Sequence, residues 1–175
     1  MGESTGMRTV MVVMWLVVSF VVCFAQAPDS KPVEPSAIGD VFLLDAASQT
    51  LKALPAERWE EVPKKTSFAH GGFFIQISGD HSAYRIKAGT NPEFVFKVGN
   101  PEGVALYALS LKKNKRIAEY SELLNNFGSR PIPGLAAEVS QFGQSSFKLV
   151  PKTALAPGEY VISTGNKMFT FGIDQ

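Results

Sequence analysis

The stretch SFKLVPKTALAPGEYVISTGNKMFTFGID, residues 146–174, decides how this chain folds. Phe147 and Leu149 alternate with Lys148 and Val150. That period of two belongs to a β-strand with one row of side chains inside. A turn follows, carrying Leu155, Pro157 and Gly158, and Tyr160-Val161-Ile162 then resumes an extended run. A tyrosine just past such a turn buries its ring while its hydroxyl bonds an upstream backbone group that the turn leaves unpaired. Gly158 permits backbone angles that other residues resist. Gly165-Asn166 reads as a tight turn into a last strand carrying Phe169 and Phe171.

Working upstream, the same period recurs. Residues 135–141, 116–120, 104–111, 93–98 and 83–87 each alternate or run apolar over strand length. Lys112-Lys113-Asn114-Lys115 turns one strand into the next, residues 121–128 fit a single helical turn ending at a glycine, and residues 129–134 read as a rigid loop. Further upstream, 73–77 is a strand bounded by Gly71-Gly72 and Gly79-Asp80, and 40–44 with 50–54 reads as a hairpin. Residues 55–62 stay ambiguous between a short helix begun by Pro55 and an irregular strand. No amphipathic helix longer than about two turns stands out. The expected fold class is all-β: an antiparallel β-sandwich over 80–175, with an N-terminal β extension over 38–79.

Two resemblances refine this. The corner formed by Leu155, Pro157, Gly158 and Tyr160 resembles the tyrosine corner of immunoglobulin-like domains. That likeness implies strands A, B, C and C′ at 83–87, 93–98, 104–111 and 116–120, and strand D at 135–141. The cysteine pair and tryptophan of antibody domains are missing, so the likeness is to the wider fold. The pattern S-x-F-K-L-x-P, L-A-P-G-E-Y-V-I-S and F-x-F-G-I-D, with A-G-x-x-x-E-F-V-F-K-V at 88–98 and the basic hairpin K-K-N-K-R, also resembles a group of uncharacterised exported bacterial proteins. It implies export and a β fold, and it brings no catalytic residues.

Arg8 precedes a long apolar run, and small residues at 25 and 27 suit a signal peptidase. Residues 1–25 are therefore expected to be a signal peptide, with Ala27 as the second cleavage site, and retention as a membrane anchor is the minority reading. Membrane contact would then come only through an uncleaved leader. Residues 26–37 are proline-rich and read as a flexible or extended linker. The only cysteine, Cys23, lies in the leader, so no disulfide framework is expected past it. Net charge is +1 over 175 residues, against the basic excess expected of a nucleic-acid binder. Location is expected to be exported, periplasmic or extracellular, in the cell envelope.

Candidate chemistry is thin. His70, Asp80 and His81 flank a strand whose length holds their loops roughly 15–17 Å apart, too far for a shared metal. Glu57, Glu60 and Glu61 surround Trp59 and offer paired carboxylates to a hydrolase. Such a cluster is more often a solvated face with one aromatic reaching a core. Lys112, Lys113, Lys115 and Arg116 are the densest charge and suit an anionic partner, although lysines in a hairpin also guard a sheet edge. Tyr107, Tyr120 and Trp59 are the aromatics expected in any exposed row. The sequence asks for no cofactor, no metal and no catalytic residue. It favours a non-catalytic binding or structural module whose partner is an envelope protein or a glycan. The rivals are an exported hydrolase using His70, His81 or the glutamate cluster, and a subunit assembled by strand addition through 38–78.

Overall fold

The computed structural model describes residues 32–63, 73–120 and 134–175. The leader, His70 and the turn expected over 121–128 lie outside them. The described residues form antiparallel β-sheets, with a single short 3-10 turn at Pro101–Gly103. Among them no helix is long and apolar enough to cross a membrane.

The first sheet has five strands in the order β10 (Ala137–Phe142), β11 (Ser146–Pro151), β7 (Glu93–Phe96), β1 (Val41–Asp45) and β2 (Thr50–Ala53). The second runs β3 (Ala56–Glu57), β13 (Met168–Ile173), β12 (Gly158–Ser163), β8 (Ala105–Lys112), β9 (Lys115–Tyr120), β5 (Phe73–Ser78) and β4 (Trp59–Pro63). A short strand β6 (Arg85–Ile86) adds to β13 in parallel. β3 and β4 stand at opposite ends of this order, yet only Arg58 separates them in the chain. The second sheet therefore curls towards its own far edge as a half-barrel.

This placement answers the ambiguity over 55–62, which is strand broken at Arg58 and not helix. The described strands of residues 38–79 are divided between the two sheets. β1 and β2 extend the first sheet from β7, while β4 and β5 extend the second from β9.

The sheets share a core of Val41, Phe94, Phe96 and Leu149 from the first and Leu106, Tyr160, Ile162, Phe169, Phe171 and Ile173 from the second. The Phe94 ring centroid lies 4.8 Å from Phe171, and Tyr160 stacks on Phe171 at 5.4 Å. Each fully buried ring contributes roughly 1.5–3 kcal/mol. A second cluster fills the concave side of the half-barrel: Ile75, Ile77, Leu109, Ala118, Val161 and Met168, with Trp59 and Tyr107 packed against it. β13 is consequently buried along its whole length. One row in a core and the other in water does not describe it, because both its faces have cores.

The turn before β12 is pinned as follows. Tyr160 Oη donates to Ala156 O at 2.7 Å, and Leu155 packs on the first core. Burial pushes the Tyr160 phenol above its usual range. Gly158 sits close to full extension, at φ 159°. The next hairpin closes with Thr164 N donating to Lys167 O at 3.1 Å, and Gly165 takes φ +97°, which suits glycine.

Part of the stretch expected to be slack is anchored. Pro35 is buried, and Glu34 accepts hydrogen bonds from the β10–β11 turn. Those bonds, led by the Gln144 amide and the Ser145 hydroxyl, lower the Glu34 pKa from 4.5 to about 2.

Two predictions follow from these contacts. Tyr160→Phe keeps the ring and loses only the bond to Ala156, so it should cost about 1 kcal/mol in urea denaturation. Tyr160→Ala should cost about 3–5 kcal/mol; equal costs would mean that the ring does not hold the corner. For Glu34 the folded pKa lies below the unfolded one. Its contribution to stability is thus complete above about pH 4.5 and lost as pH falls towards about 2. An NMR titration of its carboxyl should show a midpoint near 2; an ordinary midpoint would contradict the anchoring.

Candidate functional site

Charged side chains converge at one place, on the concave side of the half-barrel. The β8–β9 hairpin has Lys113 and Asn114 at φ 49° and 63°, the two-residue turn that pairs Lys112 with Lys115 and Leu111 with Arg116. That register puts Arg116 on the row that includes Ala118 and turns it inward, where it is 1% exposed. Its Nη1 donates to Glu57 Oε1 at 3.2 Å, Ser82 Oγ at 2.8 Å and Thr170 Oγ1 at 2.9 Å. Nη2 donates to Glu57 Oε2 at 2.5 Å and Ser78 O at 2.9 Å, and Nε to Gly79 O at 3.3 Å. Thr170 in turn donates to Glu57.

The chain of contacts continues through Ser82, which is fully buried. Its backbone N–H and its hydroxyl donate to Glu159 Oε2 at 2.7 Å and 2.5 Å. Arg85 Nη1 donates to Glu159 Oε1, and Arg85 Nε donates to Asp174 at 2.9 Å. Burial works against the Arg85 charge, but the two carboxylates outweigh it and its pKa is raised. The guanidinium reaches Glu159 across Gly172, where a Cβ would collide with Arg85. Every polar atom named here has a partner inside the protein. The network is chemistry spent on the fold.

Among the concave regions open to solvent, one is a cleft of about 490 Å³ between the β1–β2 hairpin and the segment 84–93. β1 supplies Leu43 and Leu44, β2 supplies Thr50 and Lys52, and the segment supplies Tyr84, Ile86, Thr90, Asn91 and Pro92. Ile86 belongs to the first core, and Pro92 is buried. Tyr84 is half-buried, and Lys52 Nζ stands 5.0 Å from its ring centroid, within reach of a cation–π contact. At the far end Glu93 pairs with Lys148 at 3.0 Å. Asp45, at the near end, is held by its own turn, accepting from Ala47 N and Ser48 N. An apolar floor, an aromatic face and a few polar groups are what a binding cleft of this size requires.

The residues expected from sequence are scattered. His81 and Asp80 are exposed and bonded to each other at 2.5 Å, while His70 is outside the described residues. Glu57 is held by Arg116, whereas Glu60 and Glu61 are exposed. The structure does not bring the three glutamates together. Lys112 and Lys113 are exposed and Lys115 is half-buried. Arg116 corrects the reading of four surface cations, because its guanidinium faces Glu57 and not solvent. Trp59 and Tyr107 pack on the second core, so neither stands in an open aromatic row. Nothing in the sequence marks Tyr84 and Lys52 as partners: each sits in an ordinary alternating run, and the cleft exists only once the two segments meet.

No family model, no curated protein and no solved structure matches this chain.

Arg116→Ala should cost about 3–5 kcal/mol, because buried partners lose their counter-charge. Lys112→Ala and Lys113→Ala should each stay within about 0.5 kcal/mol of the parent. Urea midpoints of the three variants check this, and similar midpoints would refute the inward assignment.

Proposed function

We propose that this chain is an exported, non-catalytic binding module of the cell envelope, with an immunoglobulin-like sandwich as its scaffold. The cleft beside Tyr84 carries the reading, since it offers an aromatic face and a cation over an apolar floor. The expected partner is an envelope protein or a glycan. Both present the mixture of apolar and hydrogen-bonding surface that such a cleft takes. The leader pattern, and the resemblance to exported proteins with the same C-terminal ending, support export.

Strand order supports the immunoglobulin-like scaffold. β10-β11-β7 follows the order D-E-B, and β13-β12-β8-β9 follows G-F-C-C′. β6, the segment read as strand A, pairs in parallel with β13, and β1 takes the place beside β7. The bond from Tyr160 to Ala156 is the contact a tyrosine corner makes. Within 38–78, β1, β2, β4 and β5 pair inside this chain, with β2 and β4 as the end strands of their sheets.

The test is capture from envelope extract by the mature chain, compared with its Tyr84→Ala/Lys52→Ala variant. The parent should retain a discrete protein or glycan, and the variant should lose at least about tenfold of it, in line with the removal of one aromatic contact and one cation. Equal retention by both would move the binding surface elsewhere. A parent that retains nothing would end the proposal.

A further inference from the structure

The β10–β11 turn presents four donors to one carboxylate. Gln144 N lies 2.5 Å from Glu34 Oε1. Ser145 N, Ser145 Oγ and Ser146 Oγ lie 3.1, 2.8 and 2.9 Å from Oε2. Ser146 opens β11 and pairs with Phe142 of β10, so the ladder fixes where its hydroxyl stands. Gly143, at φ +67°, starts the turn, and a Cβ there would collide with the Glu34 carboxylate. Successive N–H groups after a left-handed residue form the concavity that anions occupy. Gln141 Nε2 donates to Gly143 O at 3.4 Å and to Gln144 O at 3.3 Å, which braces the turn without help from Glu34.

The arm that fills this concavity is tied to the sheet on its other side by Gly39, whose N–H donates to Lys97 O at 2.7 Å and whose φ is +80°. Residues 32–35 therefore extend from a fixed point, and Glu34 is their charged attachment. We infer that the β10–β11 turn is a receptor for the carboxylate of an extended acidic peptide, and that residues 32–35 form a displaceable strap seated in it. This site is separate from the cleft beside Tyr84 and does not rest on that cleft's role.

Amide hydrogen exchange on the mature chain tests the inference. Glu34→Ala should speed exchange at Gln144 and Ser145 by about tenfold or more, and leave Phe96 in the core unchanged. The acetylated, amidated peptide PVEPSA, residues 32–37, should restore that protection in the variant at millimolar concentration. It should not alter the parent, whose own strap acts at a comparable effective concentration. The same peptide with glutamine in place of its glutamate should restore far less. Unchanged exchange in Glu34→Ala would overturn the inference. So would a PVEPSA peptide that fails to protect the variant, or a glutamine peptide that protects it equally well.

Discussion

Arg116 lies buried where four distant segments of the chain meet. A guanidinium removed from water costs several kcal/mol unless it gains hydrogen bonds and a counter-charge in good geometry. Here its partners come from distant segments: Glu57 on β3, the end of β5, Ser82 before β6, and Thr170 on β13. Glu57 lies 59 residues away in sequence. Arg116 thus meets its counter-charge where β3 lies against β13. Ser82 passes the constraint on, because its hydroxyl accepts from Arg116 while donating to Glu159. Arg85 and Asp174 then join the C-terminal strand to the same set.

Packing reinforces this coupling, since β12 and β13 serve two cores. Tyr160, Ile162, Phe169 and Phe171 face the first sheet, whereas Val161 and Met168 face the inside of the half-barrel. A strand with both faces buried cannot shift register without exposing one apolar row and burying a mismatch in the other. β3 and β6 cover successive parts of the outer edge of β13, so its ladder is largely used as well.

Much of this was legible in the sequence. Period two located β7, β8, β9, β11, β12 and β13, and the two-residue turn at Lys113-Asn114 was visible as a hairpin. Tyr160 stood out because Pro157 and Gly158, two to three residues before it, left few ways to run the chain. The inward turn of Arg116 was hidden. Binary patterning favours Ile117 over Arg116 for a core row, and only the long-range partners reverse that preference. The strand at 55–62 was hidden because it is broken at Arg58 and serves two different neighbours. The integration of residues 38–79 was hidden for a related reason: pairing of β4 and β5 onto β9 is a non-local fact that no local pattern encodes. The cleft shared this fate, since Tyr84 and Lys52 meet only through the fold.

The position of the cleft has a physical logic. Segment 84–93 begins on β6, beside the second sheet, and ends on β7, in the first. It crosses between layers, and the β1–β2 hairpin rises beside the crossing. Ile86 anchors one end in the shared core, and Glu93, paired with Lys148, fixes the other. Packing of the sandwich thus places Tyr84 and the apolar floor, while Lys52 reaches the ring from an exposed position on β2. Groups held before anything binds lose little conformational entropy when the cleft is filled, and the exposed lysine adapts to what fills it.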